Sequence, residues 1–237
     1  MSTITPIQAK PEVTYPESDG QPMAENTLQF EWIATLKGGL DAVFRDDPNV
    51  FVAGDLFWYP VEGDNTIRRA PDTMVVFGRL KGHRSAYLQW LENGIAPQVV
   101  FEVLSPGNRG AEMVRKFRFY ALYGVEEYYT YDPDGGDLAG WRRVGDELQE
   151  IPIMNGWVSP RLGVRFELDR GELKIYGPDG RPFATYLELV EQRETERREK
   201  ERERQERERE RLEKEKERER ADRLAAQLRQ LGVEPEK

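Results

Sequence analysis

A mixed α/β domain followed by a long charged helix is the fold that this chain of 237 residues predicts. Three observations carry that expectation. Segments with helical and strand patterning follow one another as helix, strands, helix, strands, which is not a repeated βαβ array. Aromatic residues make up 11% of the chain, and large rings dominate core burial, so a proper core can form. Between residues 191 and 220, 26 of 30 residues are charged, 13 acidic and 13 basic, which no core can accommodate. The chain is therefore divided into a flexible N-terminal arm (1–24), one folded domain (25–185) and a charged helical or coiled-coil tail (186–237).

Each element has its own reason. "AENTLQFEWIATLKGGLDAVF" carries a helical stripe at Leu28, Trp32, Ile33 and Leu36, with Asn26 or Thr27 as cap and Gly38-Gly39 as a stop or kink. "NVFVAGDLFWYPVEGDN" and "PDTMVVFG" read as strands, and "RLKGHRSAYLQWLENGI" as a loop with a short helix. In "PQVVFEVLSPGNR", Val99, Phe101 and Val103 share one face while Val100, Glu102 and Leu104 share the other. Both faces are apolar apart from the acid, the pattern of a central strand. "AEMVRKFRFYALYGV" is a helix starting near Asn108 and ending near Gly124, with Met113, Phe117, Tyr120 and Ala121 on its apolar face. "EEYYTYDPDGGDLAGWRRVGDELQEIP" gives three strands and two turns, and "LKIYGPDGRPFATYLELV" a hairpin with residues 178–180 at its tip. In the tail, Glu recurs three or four residues before Arg or Lys, as in Glu194 with Arg197 and Arg198, and Glu196 with Lys200. Apolar heptad positions appear only at Leu224, Leu228 and Leu231, so any association through this helix, with a second copy or a protein partner, would use that short patch.

Composition removes several function classes. There are no cysteines and a single histidine, so disulfides, thiolate zinc sites and histidine-dependent triads are poor options. No stretch is apolar enough to span a membrane, and the N-terminus lacks the apolar core of a signal peptide, so the expected location is the cytoplasm. The charged run and the segment after it each sum to zero, which leaves the whole net charge of −9 on residues 1–190. An acidic body argues against strong, non-specific grip on nucleic acid.

Two acids stand out because each is tied to a strand. Asp72 opens one and Glu102 lies inside the next, where a carboxylate is costly unless a metal ion or a lysine pairs with it. If the strands are neighbours, the two carboxylates converge and suit Mg²⁺ or Mn²⁺, hard ions that take oxygen ligands. Glu102 is expected to find few protein donors of its own. Lys116 lies one turn from both Met113 and Tyr120, beside the apolar face, and its helix can fold back over the Glu102 strand. Each also has an ordinary structural reading: a buried ion pair, a strand-entry residue, and a lysine whose stem covers apolar surface. Asp55 reads equally as a strand acid near the site or a turn residue. Glu31 on the first helix either approaches the site or faces solvent, and His83 lies in a polar loop.

"APDTMVVFG", "PQVVFEVLSPGNR", the lysine of "MVRKFRFYALYGVEEYYTYDPD" and "GWVSPRLGVRF" together resemble the Uma-two family of bacterial restriction endonucleases, within the PD-(D/E)XK nuclease superfamily. The resemblance covers roughly residues 25–185. It implies a restriction-endonuclease-like core: a central mixed sheet flanked by helices, with the acids at its centre. Asp72 matches the Asp of the PD motif and Glu102 the acid of the (D/E)XK element. The residue two after Glu102 is Leu104 rather than lysine, and Lys116 on the following helix is the lysine that matches. The implied activity is Mg²⁺-dependent hydrolysis of DNA with Asp72, Glu102 and Lys116 as catalytic residues and the two acids as metal ligands. The rival expectation is an inactive nuclease-fold scaffold that meets partners through its charged tail.

Overall fold

The computed structural model describes residues 13–18, 20, 22, 24–105, 107 and 110–230. The chain divides into two compact units, residues 1–185 and 186–237. In the first, helix α1 (Thr27–Val43) is capped by Asn26, whose side-chain oxygen accepts from the Gln29 N–H at 2.8 Å. Ile33, Leu36 and Leu40 are buried, whereas Leu28, expected on the same stripe, is largely exposed.

Gly38 and Gly39 neither stop nor break α1; the helix runs through them. Packing explains Gly39, because a Cβ there would overlap the ring of Phe183. Gly39→Ala should therefore destabilise the protein by about 1–3 kcal/mol through overpacking, although alanine is the better helix former. Denaturant unfolding checks this, and adding Phe183→Ala should reverse the sign of the Gly39→Ala effect.

Strands β1 (Val50–Gly54), β2 (Trp58–Tyr59), β3 (Thr73–Phe77), β4 (Tyr87–Leu88) and β5 (Val99–Val103) follow. Helix α2 (Ala111–Leu122) then leads to β6 (Glu127–Asp132), β7 (Asp137–Val144) and β8 (Glu147–Glu150). Six of these form one sheet in the order β1-β3-β5-β6-β7-β8. Within this sheet only β5 and β6 are parallel, and α2 is the crossover that this pairing requires. Every residue of β5 is buried, as its two apolar faces demand. One face packs Val99, Phe101 and Val103 with Ile33, Leu36 and Leu40 of α1; the other packs Val100 and Met74 with Phe119 and Tyr120 of α2. The mixed sheet between helices is the fold class that the sequence predicts.

Three details differ from expectation. The segment 49–65 is not one strand, because the chain turns at Asp55, a non-glycine residue at φ 45°, and β2 pairs with β4 instead of extending β1. The final hairpin is β9 (Arg165–Asp169) with β10 (Glu172–Tyr176), turning at Arg170-Gly171, both at positive φ. The turn at residues 178–180 does form, but only as a short return beyond β10, closed by a Gly177 N–H to Arg181 carbonyl bond of 2.8 Å. Within the N-terminal arm, residues 13–18 lie against the body. The Tyr15 ring sits 5.2 Å from that of Tyr59 and 4.9 Å from that of Trp90, and the Tyr59 hydroxyl donates to the Pro16 carbonyl at 2.6 Å.

The second unit holds α3 (Tyr186–Gln230), 45 residues long. Arg198 with Glu194 and Arg223 with Glu219 pair at i,i+4, and Arg211 with Glu208 at i,i+3. Each such pair contributes about 0.2–0.5 kcal/mol, so the helix rests on many small terms, and among its described residues none is buried. Leu224 is exposed, and Leu231 lies outside the described residues. Among the described residues, no helix is long and apolar enough to cross a membrane.

Candidate active site

The register of the sheet brings the two acids together. Thr73 on β3 pairs with Phe101 on antiparallel β5, so the next step outward sets Asp72 across from Glu102. Directly opposed residues of an antiparallel pair point to the same face, here the one covered by α2. Asp72 is buried, and one of its oxygens accepts from the Val103 N–H at 2.6 Å. Glu102 is buried at 2% exposure.

Helix α2 supplies what the strand does not. Lys116 Nζ donates to Glu102 Oε2 at 2.7 Å, and the Tyr120 hydroxyl donates to Glu102 Oε1. Lys116 and Tyr120 are four residues apart and so rise from one side of the helix. The expectation that Glu102 has few protein donors is thus corrected. Alternation along a strand describes its own neighbours, while both donors come from the helix laid across that face.

Burial, and next the nearby Glu102 charge, push the Asp72 carboxyl well above the ordinary carboxylate range; Lys116 and the Val103 N–H offset this only in part. For Lys116, burial works to lower the pKa, but the Glu102 and Asp72 charges outweigh it and the net direction is upward. Lys116 is therefore held as an ammonium at neutral pH. Burial and the Glu102 charge raise Tyr120 well above the usual phenol value, which keeps its hydroxyl a donor. Tyr128 on β6, raised first by burial and then by the Glu102 and Asp72 charges, holds a buried hydroxyl with no hydrogen-bond partner among the described residues.

A cleft of about 630 Å³ opens over this centre. Asp72 and Lys116 line it together with Glu25, Gln29, Asp55, Arg68, Arg69 and Glu112; Glu102 lies behind them. Asp55 lies outside β1, so of its two readings the turn residue holds and the strand acid does not, though it does lie near the site. It is a turn residue whose N–H donates to the Pro71 and Asp72 carbonyls at 3.1 and 3.3 Å, and it lines the cleft. Glu31 and His83 are exposed and are not among the lining residues.

Several residues were not singled out from the sequence. Gln29 is buried, donates to the Val103 carbonyl at 2.9 Å and accepts from the Glu25 N–H at 2.8 Å. Its position, four before Ile33 and seven before Leu36, puts it on the apolar stripe of α1, and that was the available signal. Glu25 accepts from the Ser105 hydroxyl, so the chain before α1 is tied to the end of β5. Arg68 and Arg69 gave no signal, because the loop carrying them reaches the site only through the tertiary fold.

The donor set suits a hard divalent cation. Asp72 and Glu102 offer carboxylate oxygens from facing positions, and Mg²⁺ is commonly held by one or two carboxylates while it retains waters. Burial first, and then the Glu102 charge, raise Asp72, and a cation bound between the two acids would offset both. Among the described residues, no group of three or more His, Asp or Glu side chains is placed to hold a metal by itself.

Comparison with known proteins gives one assignment. A solved structure described as a "putative nuclease belonging to DUF820", from Anabaena variabilis ATCC 29413, is 16% identical; the match covers 62% of this chain and 84% of that one, with a TM-score of 0.44. No curated protein matches the chain. A family model with the description "Putative restriction endonuclease" matches residues 9–171, well over half of the sequence, and so the chain belongs to the Uma2 family.

Proposed function

We propose that this protein is a Mg²⁺- or Mn²⁺-dependent endonuclease that hydrolyses DNA phosphodiester bonds in the cytoplasm, with Asp72 and Glu102 as metal ligands and Lys116 as the third catalytic residue. The observation that carries the reading is the register setting Asp72 opposite Glu102 at the floor of a cleft, with Lys116 bonded to Glu102. A bound divalent cation supplies Lewis acidity and a water of lowered pKa. Asp72 presents a carboxylate to the cleft, its geometry fixed by the Val103 N–H. Glu102 is oriented from behind by the Tyr120 hydroxyl. Lys116, held as an ammonium, suits stabilisation of charge on the phosphoryl oxygens and does not suit general-base work.

A second reading, an inactive scaffold, is favoured by one observation: both Glu102 oxygens are already engaged by Lys116 and Tyr120. One pair of measurements separates the two. With Mg²⁺ or Mn²⁺, wild type should nick plasmid DNA and Asp72→Asn should lose a hundredfold or more, on the order expected for removing a principal electrostatic contributor. Calorimetric titration with Mn²⁺ should give heat for wild type and none for the Asp72→Ala/Glu102→Ala double variant. Equal heats, or undiminished cleavage by Asp72→Asn, would sink the nuclease reading.

A further inference from the structure

We infer that Arg68 and Arg69 form a two-point phosphate clamp on the wall of the cleft, and that the clamp takes a single DNA strand rather than a duplex. This rests on the nuclease reading above and deepens it.

The two arginines are held in place by backbone. Trp58 and Arg69 form an isolated antiparallel bridge, Trp58 N–H to the Arg69 carbonyl at 2.7 Å and the reverse bond at 3.2 Å. Trp58 is fully buried, so the bridge fastens the loop to the core. The Arg68 guanidinium lies 5.0 Å from the Phe57 ring centre and donates to the Asn65 carbonyl at 2.7 Å. The Arg69 guanidinium lies 5.3 Å from the Phe119 ring centre and donates to the Arg68 carbonyl at 2.6 Å. Both side chains are half-buried, and their partners among the described residues are carbonyls and rings, not carboxylates.

Acids outnumber bases 44 to 35, and half-buried Arg79 and Arg84 both bond to Glu92. Arg143, like Arg68 and Arg69, bonds to backbone carbonyls, but it does not line the cleft, whereas Arg68 and Arg69 do. The cleft also carries Glu25, Asp55, Asp72 and Glu112, but the two guanidiniums, consecutive in sequence, are held by carbonyls and rings and keep their charge available to an anion from outside. The planar fork of arginine matches a phosphate in two-point geometry, and stacking on aromatic rings pre-organises it. Lys116 is tied to Glu102 at the catalytic centre, so a phosphate held away from that centre falls to Arg68 and Arg69.

Size and charge then select the strand. A space of about 630 Å³ is on the scale of small-ligand pockets and holds a short run of one strand, whereas a duplex needs a broad surface. A duplex also needs an extended basic track, and the body carries the chain's whole net charge of −9. Local contacts at the two arginines must supply the grip, which gives a quantitative expectation. Neutralising two phosphates of a single strand predicts a slope of log affinity against log salt of about −1.4.

The test is fluorescence anisotropy of the full chain, in Ca²⁺ to prevent turnover, with a short labelled DNA strand and the same sequence as a duplex. Wild type should bind the single strand more tightly and show the shallow slope above, a readout that requires no variant. Arg68→Gln and Arg69→Gln should each weaken strand binding about tenfold or more, the double variant more than either, while Arg68→Lys and Arg69→Lys, which keep the charge but lose the fork and the stacking, fall between wild type and the Gln variants. Preferred duplex binding, a steep slope, or folded Gln variants that bind as wild type would overturn the clamp. The two proposals fail separately. A wild type that binds strands through these arginines but never cleaves would sink the nuclease and leave the clamp standing. Cleavage that needs Asp72 but ignores Arg68 and Arg69 would do the reverse.

Discussion

Lys116→Met should destabilise the metal-free protein by about 3–5 kcal/mol at neutral pH, the cost of stranding a buried carboxylate by removing its cation. Glu102 is at 1% side-chain exposure and Lys116 at 12%, so water cannot take the place of the ammonium cheaply. Asp72 lies beside them, and removing Lys116 leaves two facing acids with no cation between them. The Tyr120 hydroxyl still donates to Glu102 but carries no charge. The deficit should shrink towards acid pH, where the carboxyls can take up protons and no charge is stranded. Adding Glu102→Gln to Lys116→Met should recover most of the loss, because a buried pair replaced on both sides is often nearly neutral. Denaturant unfolding of wild type, both single variants and the double variant gives the full cycle. A Lys116→Met protein within about 0.5 kcal/mol of wild type, the range of an ordinary surface substitution, would mean that the pair is not buried as described.

Asp72→Asn should have the opposite effect on stability while abolishing cation binding. The sign follows from linkage. The folded Asp72 pKa lies well above its ordinary value of 3.8, so at intermediate pH the native state holds a proton that the unfolded state has released. Asp72's favourable contribution is therefore complete below the unfolded pKa and is lost as pH rises through the folded pKa. In EDTA at neutral pH, asparagine removes that cost, keeps an oxygen for the Val103 N–H, and offers Glu102 an amide donor in place of a like charge. The variant should thus be more stable than wild type at neutral pH, with the difference vanishing near pH 4. Adding Mg²⁺ should reverse the order, since wild type gains about 2.7 kcal/mol at a hundred times the dissociation constant and the variant gains little. An Asp72→Asn protein less stable than wild type in EDTA at neutral pH would contradict the like-charge account.

These two forecasts have opposite signs although the residues share one site. Lys116 offsets the charge of two buried acids, and Asp72 is one of the charges that makes the offset necessary. A site with this arrangement holds together without metal at some cost, and a cation entering it would offset the burial and the neighbouring charge that raise Asp72.

Most of the elements, and the two acids that attract notice, are legible from local patterning. Alternation in residues 99–103 marks a strand buried on both faces, and an acid in such a strand must have a partner, which singles out Glu102. The capping residue Asn26, the helix bearing Lys116, and the charged run of α3 were legible for the same reason: each depends on neighbours within a few residues. Tertiary structure alone decided what depends on distant ones. Gly38-Gly39 reads locally as a helix stop, yet Phe183, far along the chain, occupies the space a side chain would fill. The turn at Asp55 interrupts what alternation reads as one strand, because β2 finds its partner in β4. The donors to Glu102 come from a helix that crosses the sheet, and Gln29, Arg68 and Arg69 reach the cleft from segments that only the packed fold brings near. Local patterning reports what each stretch of backbone prefers, while long-range packing and pairing decide which side chains meet. The chemistry of a site assembled from α1, β3, β5 and α2 belongs to the second kind of information.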